Sequence, residues 1–198
     1  MRFARLVSFV FHPATFFFIM TYLIVYKQTD SGIVALKWQV FSSAFIFIGI
    51  VIILVGRWRG IFSDHDLSKK EERAKFYGFL WPLAFSYLTA ALILRGLFFF
   101  LSIIAFGIVL GMFIFHIVSR YIKASIHLAI SCGFVLTLGF LYGETGLLAT
   151  IWIPPLLAWS RLKLTKHTKQ EVIAGGLLGI CITFLTFLIG KYVFVYTR

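Results

Sequence analysis

A chain of 198 residues that is 61% hydrophobic and 19% aromatic, with a mean hydropathy of +0.97, lies far from soluble domains, which run near ~45–50% apolar and ~25% charged. Its formal charge of +12, from 19 Lys and Arg against seven Asp and Glu, has no soluble basic domain behind it that could hold nucleic acid. The excess fits loops facing anionic headgroups, and the composition is that of an integral membrane protein in contact with the lipid bilayer.

The chain begins Met1-Arg2-Phe3-Ala4-Arg5 and continues into apolar residues without a small-residue cleavage site, which predicts a retained first span and no cleaved signal. Stretches near the ~20 residues that cross a bilayer occur at 9–26, 36–56, 76–94, 97–119, 126–143, 146–160 and 172–194. These seven predict an all-α polytopic transmembrane helix bundle forming one domain over 1–198, because no repeat or low-complexity linker divides the chain. His12-Pro13 interrupts the first span, and Pro154-Pro155 marks a kink or break in the short sixth. Arg95-Gly96 alone joins the third span to the fourth, as in a tight helical hairpin. Cys132 and Cys181 lie inside apolar runs, away from any loop where an oxidising compartment would place a disulfide, and read as packing residues.

If each span crosses once, the N-terminus and the segments 57–75, 120–125 and 160–171 share one face and carry 14 Lys and Arg, against five on the other. The positive-inside rule then puts the three-loop face in the cytoplasm of a cell (inner) membrane. Trp38, Trp58, Trp81 and Trp159 fall near the expected span ends, as an interfacial belt requires. Phe16-Phe17-Phe18 and Phe98-Phe99-Phe100 read as lipid-facing or packing bulk.

Three polar segments on that face carry candidate chemistry. In the first, Ser68 and Glu71 have the spacing of a capping box, which predicts a helix with Ser68 as N-cap and Lys69 and Arg73 sharing a face near the membrane surface. In the second, Lys123-Ala124-Ser125-Ile126-His127 stands at the mouth of the fifth span. The third runs Ser160-Arg161, then five residues, then His167, with Glu171 four steps further. If the last span begins near Thr168, imidazole and carboxylate lie one turn apart on one face. The carboxylate can fix the imidazole tautomer and leave the other ring nitrogen as acceptor or nucleophile, while the planar guanidinium suits a phosphate. Two histidines, two arginines, a serine and a carboxylate at a lipid–water interface would suit in-line attack on a phosphate monoester by a His nucleophile.

This set resembles the type 2 phosphatidic acid phosphatase superfamily, whose motifs run Lys-x6-Arg-Pro, Pro-Ser-Gly-His and Ser-Arg-x5-His-x3-Asp. Ser160, Arg161 and His167 agree with the third motif at every spacing, with Glu171 in place of Asp. Ser125 and His127 agree with the second, with Ala124 and Ile126 replacing Pro and Gly. Arg73 stands for the Arg of the first, whose Lys and Pro positions hold Asp66 and Ala74; Lys69 or Lys70 could supply that charge from a nearby turn. The resemblance covers about 57–175 and implies the family's six-span core plus an inserted hairpin at 76–119. It implies that His167 attacks phosphorus to form a phosphohistidine while Glu171 holds its ring, and that His127 protonates the leaving lipid oxygen. Arg73, Arg161, Ser125 and Lys123 would hold the phosphoryl oxygens, and neither metal nor cofactor is required. The implied substrate is a lipid or isoprenoid (di)phosphate.

Two other readings fit parts of the pattern. Asp64-x-Asp66 with nearby cations could hold Mg²⁺ against a diphosphate, as aspartate-rich loops of membrane prenyltransferases do, although only one such loop exists. A non-catalytic relative could bind lipid phosphates through the same cations without cleaving them. No motif pairs with the remaining histidines: His12 beside Pro13 reads as interfacial, His65 as a solvated loop residue and His116 as a hydrogen-bonded intramembrane His.

Overall fold

The computed structural model describes residues 1–64, 67, 69–96 and 99–196, and the side chains of all of these except 70 and 193–196. Among them all regular structure is α-helical: α1 (Arg2–Val10), α2 (Pro13–Thr29), α3 (Gly32–Trp58), α4 (Lys70–Arg95), α5 (Phe100–Val118), α6 (Ile126–Thr150), α7 (Ile153–Lys163) and α8 (Lys169–Tyr196). Six stretches are long and apolar enough to cross a membrane: α1 with α2, then α3, α4, α5, α6 and α8.

Long-range hydrogen bonds define the two ends of the bundle. At one end an Arg73 Nη1 donor meets the Ala124 carbonyl at 3.1 Å, and the Ser125 N–H donates to the Glu171 carbonyl at 3.0 Å. The starts of α4, α6 and α8 are thereby joined. At the other end the Phe100 N–H donates to Gln28 Oε1 at 2.9 Å and the Tyr142 hydroxyl to the Leu23 carbonyl at 2.8 Å. From Ile126 the chain therefore runs to the far end at Tyr142, reverses at Gly143 (φ +66°), and is back at the near end by Arg161, whose Nη1 meets Ser8 Oγ at 2.8 Å.

The chain thus makes seven passes, and the sixth is broken. It consists of 144–150 and α7, joined through Ile151-Trp152, and neither piece is long enough to cross alone. The break falls where Pro154-Pro155 open α7, because proline lacks the N–H that a helix's first turn leaves unbonded. The expected first span is likewise interrupted. The short α1 ends at Phe11, and His12 caps α2 with Pro13 as its first residue. α1 buries Ala4, Val7 and Ser8 and exposes Phe3, Leu6 and Phe9, the pattern of a helix lying in a membrane interface.

α6 and α8 run in the same direction with their backbones in contact. Gly175 and Gly179 sit one turn apart on α8, where a Cβ would run into the backbone of Ser125 and Ala129 respectively. Small residues at this spacing let membrane helices approach closely. This contact is what holds the Ser125–His127 segment against the His167–Glu171 segment.

Other sequence expectations meet corrections. Ser68, His65, Asp66 and Phe98 lie outside the described residues; α4 starts at Lys70 with Lys69 as N-cap and no side-chain cap bond. Among the described residues Glu72 ties down the preceding loop, accepting from the Ser63 N–H at 3.0 Å and Oγ at 3.1 Å. Trp38 is buried beneath Arg95, and Trp81 sits mid-helix because α4 begins earlier than 76, so of these four Trp58 and Trp159 are exposed near helix ends. Both cysteines are free thiols.

Candidate active site

Four helices, α2, α4, α6 and α8, begin at the near end, so their unbonded first-turn N–H groups and positive dipole ends meet there. Two arginines reinforce that field from buried positions. Arg73 is 3% exposed and is held by two carbonyls, donating from Nε to Leu67 at 2.9 Å and from Nη1 to Ala124. Leu67 adopts φ +50°, an unusual conformation for a branched residue, and its carbonyl receives that Nε–H. Arg161 is 2% exposed, and its neighbour Ser160 donates to the Ala4 carbonyl at 2.7 Å. The two bonds from Ser160 and Arg161 dock the end of α7 on α1.

His167 occupies the turn between α7 and α8. The turn closes with the Lys166 N–H on the Arg161 carbonyl at 3.1 Å and with Thr165 at φ +52°. Thr168 and Glu171 form a reciprocal capping box: the Glu171 N–H donates to Thr168 Oγ1 at 3.3 Å, and the Thr168 N–H to Glu171 Oε2 at 3.0 Å. The same Oε2 lies 3.1 Å from His167 Nδ1. A carboxylate can only accept, so Nδ1 carries the proton and Nε2 keeps its lone pair. The Glu171 arm thus reaches both its own helix start and the ring.

Burial and the charge around it favour the unprotonated form of His167. Burial, followed by the fields of Arg161, Arg73 and Lys123, pushes its pKa from the usual 6.5 to about 4, against the opposing hydrogen bond that it donates to Glu171. Lys123 shares the field: burial and Arg73 push its own pKa down, and its Nζ donates to the Lys166 carbonyl at 3.1 Å. Ser125 is fully buried, and its Oγ has no hydrogen-bond partner among the described residues. His127 stands in the first turn of α6, two residues on.

Below this cradle opens a cavity of about 430 Å³ lined by Arg73, His127, Arg161 and His167 at one end. Deeper, its walls are apolar, including Ile46, Ile50, Leu80, Ile108 and Ile182, as far as a hydrogen-bonded pair, Ser42 and Tyr87, 2.8 Å apart. A phosphate at the cationic end would leave a hydrocarbon chain surrounded by these walls.

Of the residues singled out in the sequence, His167, Glu171, Arg161, Arg73, Ser125 and His127 converge, with Lys123 at their edge. Lys69 does not join them. Its side chain is 65% exposed and faces Glu72 at 3.6 Å, because as N-cap it lies before the helical face that carries Arg73 inward. It contributes to the loop and not to the cradle.

Two residues from the N-terminus belong to the site instead: Ser8, on Arg161, and His12, whose ring meets that of His127 at 5.3 Å between centroids. His12 is thus not simply interfacial. His12-Pro13 reads in the sequence as an interruption of the first span, and the partner of His12 lies 115 residues away, beyond the reach of spacing. His116 places Nε2 3.4 Å from Arg120, while its Nδ1 is buried with no hydrogen-bond partner among the described residues, beside the Tyr77 ring at 5.8 Å.

For the aspartate-rich alternative, Asp64 acts on Lys123, and Asp66 lies outside the described residues. Among the described residues no three His, Cys, Asp or Glu side chains are grouped as a metal site. Comparison of the chain with family models, characterised proteins and solved structures gives no match.

Proposed function

We propose that this protein is a membrane phosphatase that removes the terminal phosphate of a lipid or isoprenoid (di)phosphate through a phosphohistidine. The observation that carries this reading is the state of His167. Its Nδ1–H is committed to Glu171, its Nε2 is left as a lone pair, and buried arginines lie beside it at the mouth of an apolar cavity. Nucleophile, orienting carboxylate and cationic cradle are the parts that attack on a phosphoryl group requires.

In the first step Nε2 of His167 forms a bond to phosphorus as the bond from phosphorus to the lipid oxygen breaks. The electron pair goes to that oxygen, which takes a proton from His127. Arg73, Arg161, the Ser125 hydroxyl and the first-turn N–H groups of α6 hold the equatorial oxygens. In the second step water attacks the phosphohistidine, His127 receives its proton, and the bond from phosphorus to nitrogen breaks to free inorganic phosphate and His167.

The protein would sit in the cell membrane with this end in the cytoplasm, by the 14 to five distribution of Lys and Arg between the two ends. Lipid would enter laterally at headgroup level. The test is phosphate release in detergent with excess chelator from phosphatidic acid, phosphatidylglycerophosphate and polyprenyl phosphates, comparing wild type with His167→Ala. Release by wild type alone supports the reading and ranks the headgroups. Binding of these lipids without release by wild type would make the protein a lipid-phosphate receptor, and release that stops in chelator would return the aspartate-rich loop to consideration.

A further inference from the structure

The N-terminal segment lies outside the stretch that carries the phosphatase motifs, yet it reaches the site at two points. Ser8 holds Arg161, on the phosphoryl side. His12 meets His127, on the side where the lipid oxygen would depart.

His12 is fixed from behind. It is the N-cap of α2, and its Nδ1 accepts the Ala14 N–H at 3.3 Å, so its ring proton is on Nε2. Pro13 restricts the backbone at the next position. The ring lies edge-to-face with that of His127, centroids 5.3 Å apart and planes at 85°, the favoured aromatic arrangement. The contact does not depend on a loose loop, because α2 and α6 pack along their length through Phe16 on Phe134, at 5.0 Å, and Tyr142 on Leu23. Both histidines line the cavity with Arg161 and His167.

A general acid works only when it is within hydrogen-bond reach of the departing oxygen, and displacement by about 1 Å can cost ~100-fold. His127 sits on the first turn of its helix, and a second ring set perpendicular to its own restricts its swing. We propose, resting on the phosphatase reading above, that His12 is a positioning residue for His127, holding it for proton delivery to the leaving lipid oxygen.

The step it serves is the first one: nitrogen bonds to phosphorus, the phosphorus–oxygen bond breaks, and the alkoxide takes the proton of His127. An alkyl phosphate needs that proton. An aryl phosphate such as p-nitrophenyl phosphate does not, because its phenolate is stable once released. A residue that acts through the acid therefore shows itself in the ratio of the two substrates.

The experiment compares kcat/KM of wild type, His12→Asn and His12→Ser on a lipid alkyl phosphate and on p-nitrophenyl phosphate. Asn and Ser both keep an N-cap acceptor for α2 while removing the ring. Losses of about 10–100-fold on the alkyl phosphate are expected for both, at least tenfold larger than on the aryl phosphate. His127→Ala should show the same asymmetry, and combining it with His12→Asn should add little, since the two changes act on one step.

Equal losses on both substrates, as a structural support or an unfolded variant would give, overturn the proposal, and so does no loss on either. An asymmetry in only one of the two variants overturns it too. In those outcomes wild-type turnover leaves the phosphatase reading standing. If wild type turns over neither substrate, the phosphatase reading fails and takes this inference with it.

Discussion

In the proposed reaction two opposed requirements meet at His167: a nucleophilic nitrogen must stay unprotonated, and it must be oriented by a carboxylate that favours protonation. Burial and three cations win, which is why the pKa falls to about 4 despite Glu171. After correction for the substrate phosphate's own ionisation near ~6, the acid limb of kcat/KM should lie well below pH 6.5. Lys123→Gln should move that limb upward, because it removes one of the charges that lowers the pKa. A wild-type limb at 6.5 would contradict the field. The folded pKa is depressed below the unfolded value of 6.5, so the folded state binds fewer protons; stability from this group is complete above pH 6.5 and is lost as pH falls toward 4. Glu171→Gln keeps a capping-box partner for Thr168 but loses the charge that fixes the ring, so kcat/KM should fall about 10²–10⁴-fold while the thermal midpoint barely moves. Equal losses of activity and stability would mean that Glu171 serves the helix alone. The His167–Glu171 relation was legible in the sequence because it is one turn of one helix. Ser8 on Arg161 and His12 on His127 were not, since each contact joins residues more than a hundred positions apart and depends on how helices pack.

At the scale of elements, the α6–α8 contact holds the halves of the site together, and its glycines differ sharply in what they tolerate. Gly179 faces the Ala129 backbone, where a methyl has no room, whereas a Cβ at Gly176 would meet Cys132 Sγ at an ordinary 3.6 Å. Gly179→Ala should therefore lower the thermal midpoint and the yield of folded protein in detergent, and Gly176→Ala should leave both near wild type. Similar midpoints for the two variants would contradict the packing described for α6 and α8. Most helices could be read in advance, because apolar runs of membrane length have few other structures open to them. Their breaks were legible too: Pro154-Pro155 announced a discontinuity, and the gap between the expected spans 126–143 and 146–160 falls where Gly143, at φ +66°, reverses the chain. The start of α4 was less legible: the capping pattern selects Ser68, which lies outside the described residues, whereas α4 has Lys69 as N-cap and Glu72 holds the preceding loop through Ser63.

For the whole molecule, alternating passes put every site candidate at one end, Lys69 included although it faces away from the cradle, and this much parity could supply from the sequence, because seven passes and short loops leave few alternatives. What parity could not supply is the cavity, whose apolar walls come from six helices and whose far limit is the Ser42–Tyr87 pair. Orientation is open to a direct test. In a background where Cys132 and Cys181 are replaced by Ser, Arg59→Cys should resist a membrane-impermeant thiol reagent in intact cells, and Asp30→Cys should react. The reverse labelling would place the site outside and show that its cations were recruited for ligand and not for insertion. The most direct measurement of the central claim is to trap the covalent intermediate, by mixing protein with a ³²P-labelled lipid phosphate in chelator and quenching in denaturant at alkaline pH, where phosphohistidine survives. Label on wild type and none on His167→Ala is the predicted result. Phosphate release by wild type with no label on the protein, or label that persists in His167→Ala, would contradict it.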